Sequence, residues 1–145
     1  MANVVPYAFP VELLSGTHNF ASDTFKLALY TASPYNTAST VYVVTSETTG
    51  TEYSAGGNTL TGNAVSNSAN YATVDFTDSV WGSPTPATFS AAFGAIYNTS
   101  AASKLIVILD FGGTKSCSNG TFTVTFPSPT SGSPTGADAL LSIQS

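Results

Sequence analysis

Charge is the scarcest commodity in this chain. Only 8% of its residues are Asp, Glu, Lys or Arg, against about 25% in ordinary soluble domains. There is no arginine at all, and three lysines face eight acids for a net charge of −5. That balance excludes a nucleic-acid surface, which needs a basic footprint to displace counterions, and an anionic membrane surface. Cys117 is the lone cysteine, so no internal disulfide forms. It reads as an exposed loop thiol without a role. One histidine and one cysteine give no ligand set for zinc. No run approaches the ~20 apolar residues of a membrane span. The start, Met1-Ala2-Asn3, lacks the basic and long apolar regions of a secretory signal, which points to synthesis in a cytoplasm.

What remains is 42% hydrophobic residues, too many for disorder, set among Ser, Thr, Asn and Gly. Helix-surface residues are rare and β-formers dominate. The 145 residues suffice for one domain with a real core. Its centre reads as the run from Ala91 to Phe126. Ala91–Tyr97 alternates large and small side chains, Lys104–Phe111 is almost continuously apolar, and Thr121–Phe126 alternates Thr with Phe and Val. These are expected to be consecutive strands, the middle one covered on both sides, with Gly112–Gly120 as a loop between the second and third.

Elsewhere, Phe25–Thr31 alternates cleanly, with Phe25, Leu27 and Leu29 on one face, the pattern of a strand with one buried side. Val41–Thr45, Thr59–Val65, Tyr71–Phe76 and Ala139–Ile143 complete a count of about eight short strands. Turns fall at Gly50, at Gly56-Gly57 and over residues 66–70, and long loops at 78–87 and 127–136. The expected fold is all-β: a single-domain antiparallel β-sandwich or jelly-roll-like barrel. Residues 1–10 read as an extended N-terminal arm held by Pro6 and Pro10, and residues 11–145 as one β domain. Val11–Ser15 reads as a single helical turn, with Pro10 at a first-turn position and Gly16 as its stop.

No constellation selects a catalytic, cofactor-binding or metal site. His18, the one histidine, is expected to bond backbone in a turn. Glu47 and Glu52 are nominal glycosidase acids, better explained as solvated loop residues. Asp75 and Asp78 are the one close acidic pair for calcium. Asn98 and Asn119 begin Asn-x-Ser/Thr patterns but read as turn residues. Tyr30, Tyr35, Tyr42, Tyr53 and Trp81 could form a sugar platform. Trp81 is read either as a plug over one end of the sandwich or as a partner contact. The apolar arm, Val4, Val5, Tyr7 and Phe9, folds onto its own domain or docks on a neighbour.

Several stretches carry a family resemblance. They are Val11-Glu12-Leu13-Leu14-Ser15-Gly16-Thr17-His18-Asn19-Phe20, Thr24–Thr31, Thr51–Leu60, Gly94–Asn98, Val107–Phe111 and Phe122–Pro127. In this order, over most of the chain, they resemble small structural proteins of tailed bacteriophages, of the kind that decorate and cement capsids. The resemblance implies a β-rich body on the outer capsid surface of the virion, made in the host bacterial cytoplasm. It implies contacts with the phage major capsid protein and a homo-oligomer, commonly a trimer. It carries no catalytic or ligand residues and no cofactor. A tail or fibre-base component is the alternative, and a carbohydrate-binding module the third.

Overall fold

The computed structural model describes residues 3–68, 71–127 and 140–144. Met1 and Ala2 of the arm, part of the turn at 66–70, the 127–136 loop beyond Pro127, and Ala139 lie outside the described residues. Within them the chain forms one short helix, α1 (Ala8–Leu14), and the strands β1 (Phe25–Tyr30), β2 (Asn58–Thr59), β3 (Ala64–Ser68), β4 (Tyr71–Asp75), β5 (Ser79–Trp81), β6 (Ala87–Asn98), β7 (Lys104–Gly120), β8 (Phe122–Val124) and β9 (Leu141–Gln144). They build a central sheet, β2-β1-β6-β7, a second sheet, β3-β4-β9, and the β5-β8 ribbon. Every strand pair is antiparallel. The fold is all-β and sandwich-like, and no barrel closes among the described residues.

The central sheet is buried on both faces. Phe25, Leu27 and Leu29 of β1 join Ile96, Val107 and Leu109 in the larger core. α1, the β3-β4-β9 sheet and the β5-β8 ribbon supply the cover through Phe9, Leu13, Val74, Trp81, Phe122 and Leu141. The opposite face of β1 was expected to meet solvent. Instead Ala28 and Tyr30 are fully buried with Ala95, Tyr97, Leu105 and Ile108, beneath Tyr35 and Tyr42 of the following loop. Each buried Phe, Leu or Ile side chain contributes about 2 kcal/mol, so five of them match the net stability of a typical domain.

β7 corrects the expected loop at 112–120. Gly112 (φ +69°) and Gly113 (φ +127°) do interrupt the strand. Pairing skips from Phe93↔Asp110 to Ala91↔Lys115, then runs on to Ala87↔Gly120. Two adjacent glycines accept the positive φ of a wide bulge without reversing the chain. Val41–Thr45 is not a strand: it makes one bridge, Val41↔Lys104, because its valines have no sheet face to enter. Gly57 (φ +70°) marks the closest approach of β2's approach loop to β1. A Cβ there would sit 1.8 Å from the Leu27 carbonyl oxygen.

The arm is extended only before the helix. Val4 exchanges two 2.8 Å backbone hydrogen bonds with Ile108, and Tyr7 N donates to Thr37 O at 2.9 Å. Val4 and Val41 thus cap the outer edge of β7, whose groups would otherwise be open to pairing. Residues 8–10 are helical rather than extended. Pro10 occupies the first turn, where its missing N–H costs nothing, and this lets Phe9 swing into the core.

Candidate functional site

Of the residues expected to meet a partner, the structure exposes some and buries others. Val4 is half-buried against β7. Val5 and Tyr7 remain accessible, Tyr7 at 72%. Phe9 and Trp81 are corrections. Phe9 packs against His18 (5.5 Å) and edge-on to Phe20 (6.2 Å). Trp81 is buried between Tyr53 (6.2 Å, stacked), Phe89 (6.2 Å) and Phe122 (6.1 Å). The indole lies inside, on the strand β5 that pairs with β8, and is not offered at the surface.

Two exposed side chains were missed by sequence reasoning. Val11 is 68% exposed and Leu14 90%. At 100° per residue, Tyr7, Val11 and Leu14 fall within about 60° of one another, an i, i+4, i+7 stripe. Phe9 and Leu13 point the other way, into the core. The signal was the spacing itself, hidden because the helix was placed after Pro10 rather than across it.

His18 bonds two side chains rather than turn backbone. Nε2 lies 3.2 Å from Glu12 Oε2, and Nδ1 lies 3.1 Å from Asn98 Nδ2. An amide nitrogen can only donate, so Nδ1 is the acceptor and Nε2 carries the hydrogen toward Glu12. The second amide hydrogen of Asn98 goes to Asp23 Oδ2 at 2.7 Å, and Asn98 Oδ1 accepts from Ser100 N at 2.9 Å. Asn98 is fully buried and caps the turn 99–101. Lys104 Nζ donates to the other Glu12 oxygen. Burial opposes the charge on Glu12, but hydrogen bonds from Lys104 and His18 outweigh it and hold the carboxyl below its ordinary value. The Asn19 backbone N–H, then Asn98, do the same for Asp23. His18 is buried, with both ring nitrogens held by side chains of this chain.

Glu47 is a structural hub. It accepts from Tyr42 (2.6 Å), Tyr53 (2.7 Å) and the Gly56 backbone N–H (2.6 Å). Tyr97 donates to Gly56 O at 2.8 Å and stacks on Tyr42 with ring centres 4.5 Å apart. Tyr30 donates to Val43 O at 2.9 Å and lies 2.6 Å from the Tyr35 hydroxyl. Burial raises all five phenols; Tyr97 is pushed up to about 12. For Tyr42 and Tyr53 the Glu47 charge adds to burial. The proposed sugar platform is therefore turned inward at Tyr30, Tyr35 and Trp81. Glu52, the other nominal acid, stands on an exposed turn at φ +64°.

Asp78 accepts from Phe126 N at 2.9 Å. Burial, with the Asp78 charge, raises the Asp75 carboxyl. Among the described residues no three of His, Cys, Asp or Glu converge as a metal site. Cys117 is half-buried rather than exposed, its thiol 3.7 Å from Phe89 O.

An apolar groove of about 680 Å³ runs between α1 and the β3-β4-β9 sheet. Phe9, Leu13 and Phe20 line it from one side and Ala72, Val74 and Leu141 from the other, with Val5 and Val65 also along it. A second cavity of about 830 Å³ is lined by Asp110, Phe111, Lys115, Phe122, Pro127 and Leu140. No described helix is long and apolar enough to cross a membrane. No protein-family model, curated protein or solved structure matches this chain.

Proposed function

We propose that this chain is a non-enzymatic virion structural protein, a cement protein that grips the outer face of a phage head lattice and stabilises it. The observation that carries the reading is how the reactive side chains are used. His18, Glu12, Asp23, Glu47 and five tyrosines are consumed in holding loops to the β framework, while apolar side chains stand exposed on α1 and on the loop at Val41, Val43 and Val44. Such a molecule is built to bind surfaces. The sequence stretches resembling phage structural proteins point to the same class.

The mechanism is passive. A protein that binds the assembled lattice and not its dispersed subunits stabilises the lattice by linkage. Tyr7 and the loop valines supply apolar contact to the major capsid protein, and the Ser, Thr and Asn surface supplies hydrogen bonds at small cost in side-chain entropy. A net charge of −5 suits a position away from packaged DNA. The test compares particles with and without this chain. Loss of DNA at a lower temperature in its absence, with hundreds of copies per complete particle, supports the reading. Equal heat resistance refutes it, and a handful of copies assigns the chain to the tail or fibre base.

A further inference from the structure

We infer that the cavity of about 830 Å³ beside β8 receives an extended peptide segment of another protein, apolar at alternate residues and carrying one acid, which adds to β8 as a third strand opposite β5. This contact goes beyond the capsid reading and does not depend on it.

The cavity runs along a strand edge. Every residue from Thr121 to Pro127 lines it. Side chains alternate across a strand, so a cavity over one face would meet only every second residue; an unbroken run places it at the edge. β5 holds the opposite edge of β8, through Ser79↔Val124, Val80↔Thr123 and Trp81↔Phe122. On the cavity side no described residue bonds the backbone of residues 121–125. A row of open N–H and C=O groups is matched in series by another extended backbone, which is how peptides add to sheet edges. β5 and β8 are three residues each and form a two-stranded ribbon, an arrangement that a third strand strengthens.

The facing wall already takes extended segments from its own chain. Val4 and Val41 bridge to β7 at Ile108 and Lys104. Farther along, Asp110, Phe111, Lys115 and Ser116 line the cavity, and no described strand pairs with them on that side.

Side chains select the segment. Leu109, Phe122 and Val124 are the most accessible members of the larger core among the described residues, and all three line the cavity. Phe122, Val124 and Phe126 recur at every second position, so a segment with the same period meets them with its own apolar face. Lys115 is exposed and, among the described residues, forms no ion pair. Asp110, the other charged lining residue, accepts from the Gly112 backbone N–H at 2.8 Å. A carboxylate on the incoming segment is therefore drawn to Lys115, one of only three cations in the chain. Thr121–Phe126 is six residues, about 20 Å of strand. So short a contact binds weakly, with Kd on the order of 0.1 mM.

The experiment selects displayed random peptides of about eight residues on the immobilised chain, then titrates the enriched peptides by NMR. Enriched sequences are expected to alternate apolar and polar residues and to carry one Asp or Glu. They should shift Lys115 and slow amide exchange in residues 122–125, and methylating the backbone nitrogens along one edge of the peptide should abolish binding. Lys115→Glu should weaken binding about fivefold with an unchanged near-ultraviolet dichroism spectrum; should it fail to fold, Lys115→Ala replaces it. No enrichment, enriched peptides without alternation, shifts confined to other surfaces, or full affinity in the folded Lys115 variant overturns the inference. So does a maltooligosaccharide that shifts these residues when no peptide does, which makes the cavity a sugar site. The same shifts on concentrating the chain alone also overturn it and assign the cavity to a second copy.

Discussion

Replacing Glu47 with alanine should unfold this protein at a markedly lower temperature without touching its hydrophobic core. The carboxylate accepts three hydrogen bonds, from Tyr42, Tyr53 and the Gly56 backbone. Bonds to a charged acceptor contribute about 1.5–3 kcal/mol each. Glu47 is half-buried, so entering water recovers part of the loss, leaving about 3–5 kcal/mol. Unfolding entropy near 2.1 cal/mol/K per residue gives about 0.3 kcal/mol/K for this chain, which converts to a fall in Tm of about 10–16 °C. Glu47→Gln keeps one oxygen able to accept from Tyr53 and Gly56, while its amide faces a Tyr42 hydroxyl that can accept in return. Its cost is about 1–2 kcal/mol, or about 3–7 °C. Differential scanning calorimetry of the three proteins decides the matter. An alanine variant within about 3 °C of wild type, or a glutamine variant as unstable as the alanine one, refutes the reasoning.

The same cluster predicts an alkaline limit. The folded phenols titrate above their ordinary value of 10, Tyr97 at about 12, so the stability they hold is complete below pH 10 and drains away as pH climbs through the folded values. The five cluster phenols should therefore ionise together with loss of near-ultraviolet dichroism, and ionisation of more than the two tyrosines outside the cluster near pH 10 in a still-folded protein would contradict this. Trp81→Ala should cost about 3–5 kcal/mol, as emptied aromatic core sites do, measurable by urea denaturation; an unchanged midpoint would return Trp81 to the surface. Deleting residues 3–9 removes Phe9 from the core and the Val4 cap from β7. It should yield an unstable, aggregating domain, whereas a soluble fragment of wild-type Tm would show the arm to be dispensable.

The framework was legible where one face of a strand had a consistent fate. Phe25, Leu27 and Leu29 alternate because that side of β1 is always core, and Leu105–Leu109 are apolar throughout because β7 is covered twice. The cover itself was not legible. Nothing in Ala28 or Tyr30 announces that a later loop will lie over them, since the tyrosines that bury them also have polar tips that suit a surface. Gly112-Gly113 signals a backbone irregularity but not its kind, and whether the strand resumes depends on a partner in β6. The polar hubs were beyond reach for a simpler reason. Glu12 and His18 are six residues apart, but Asn98 comes 80 residues after His18, and no spacing rule links them. Glu47 looked like a solvated loop acid because its three donors are visible only once the loop has closed on the sheet.

Val4 and Ile108 are neighbours in space but about a hundred residues apart along the chain. On a ribosome adding about 5–20 residues per second, the opening segment waits roughly 5–20 s before its strand partner exists. β1 waits about two-thirds as long for β6. During that interval the nascent chain presents greasy, unpaired strands with little charge to keep two such chains apart. Crowded synthesis from one messenger then favours entanglement between siblings, so soluble yield should respond more strongly to slower translation and to chaperone supply than the finished molecule's stability would suggest.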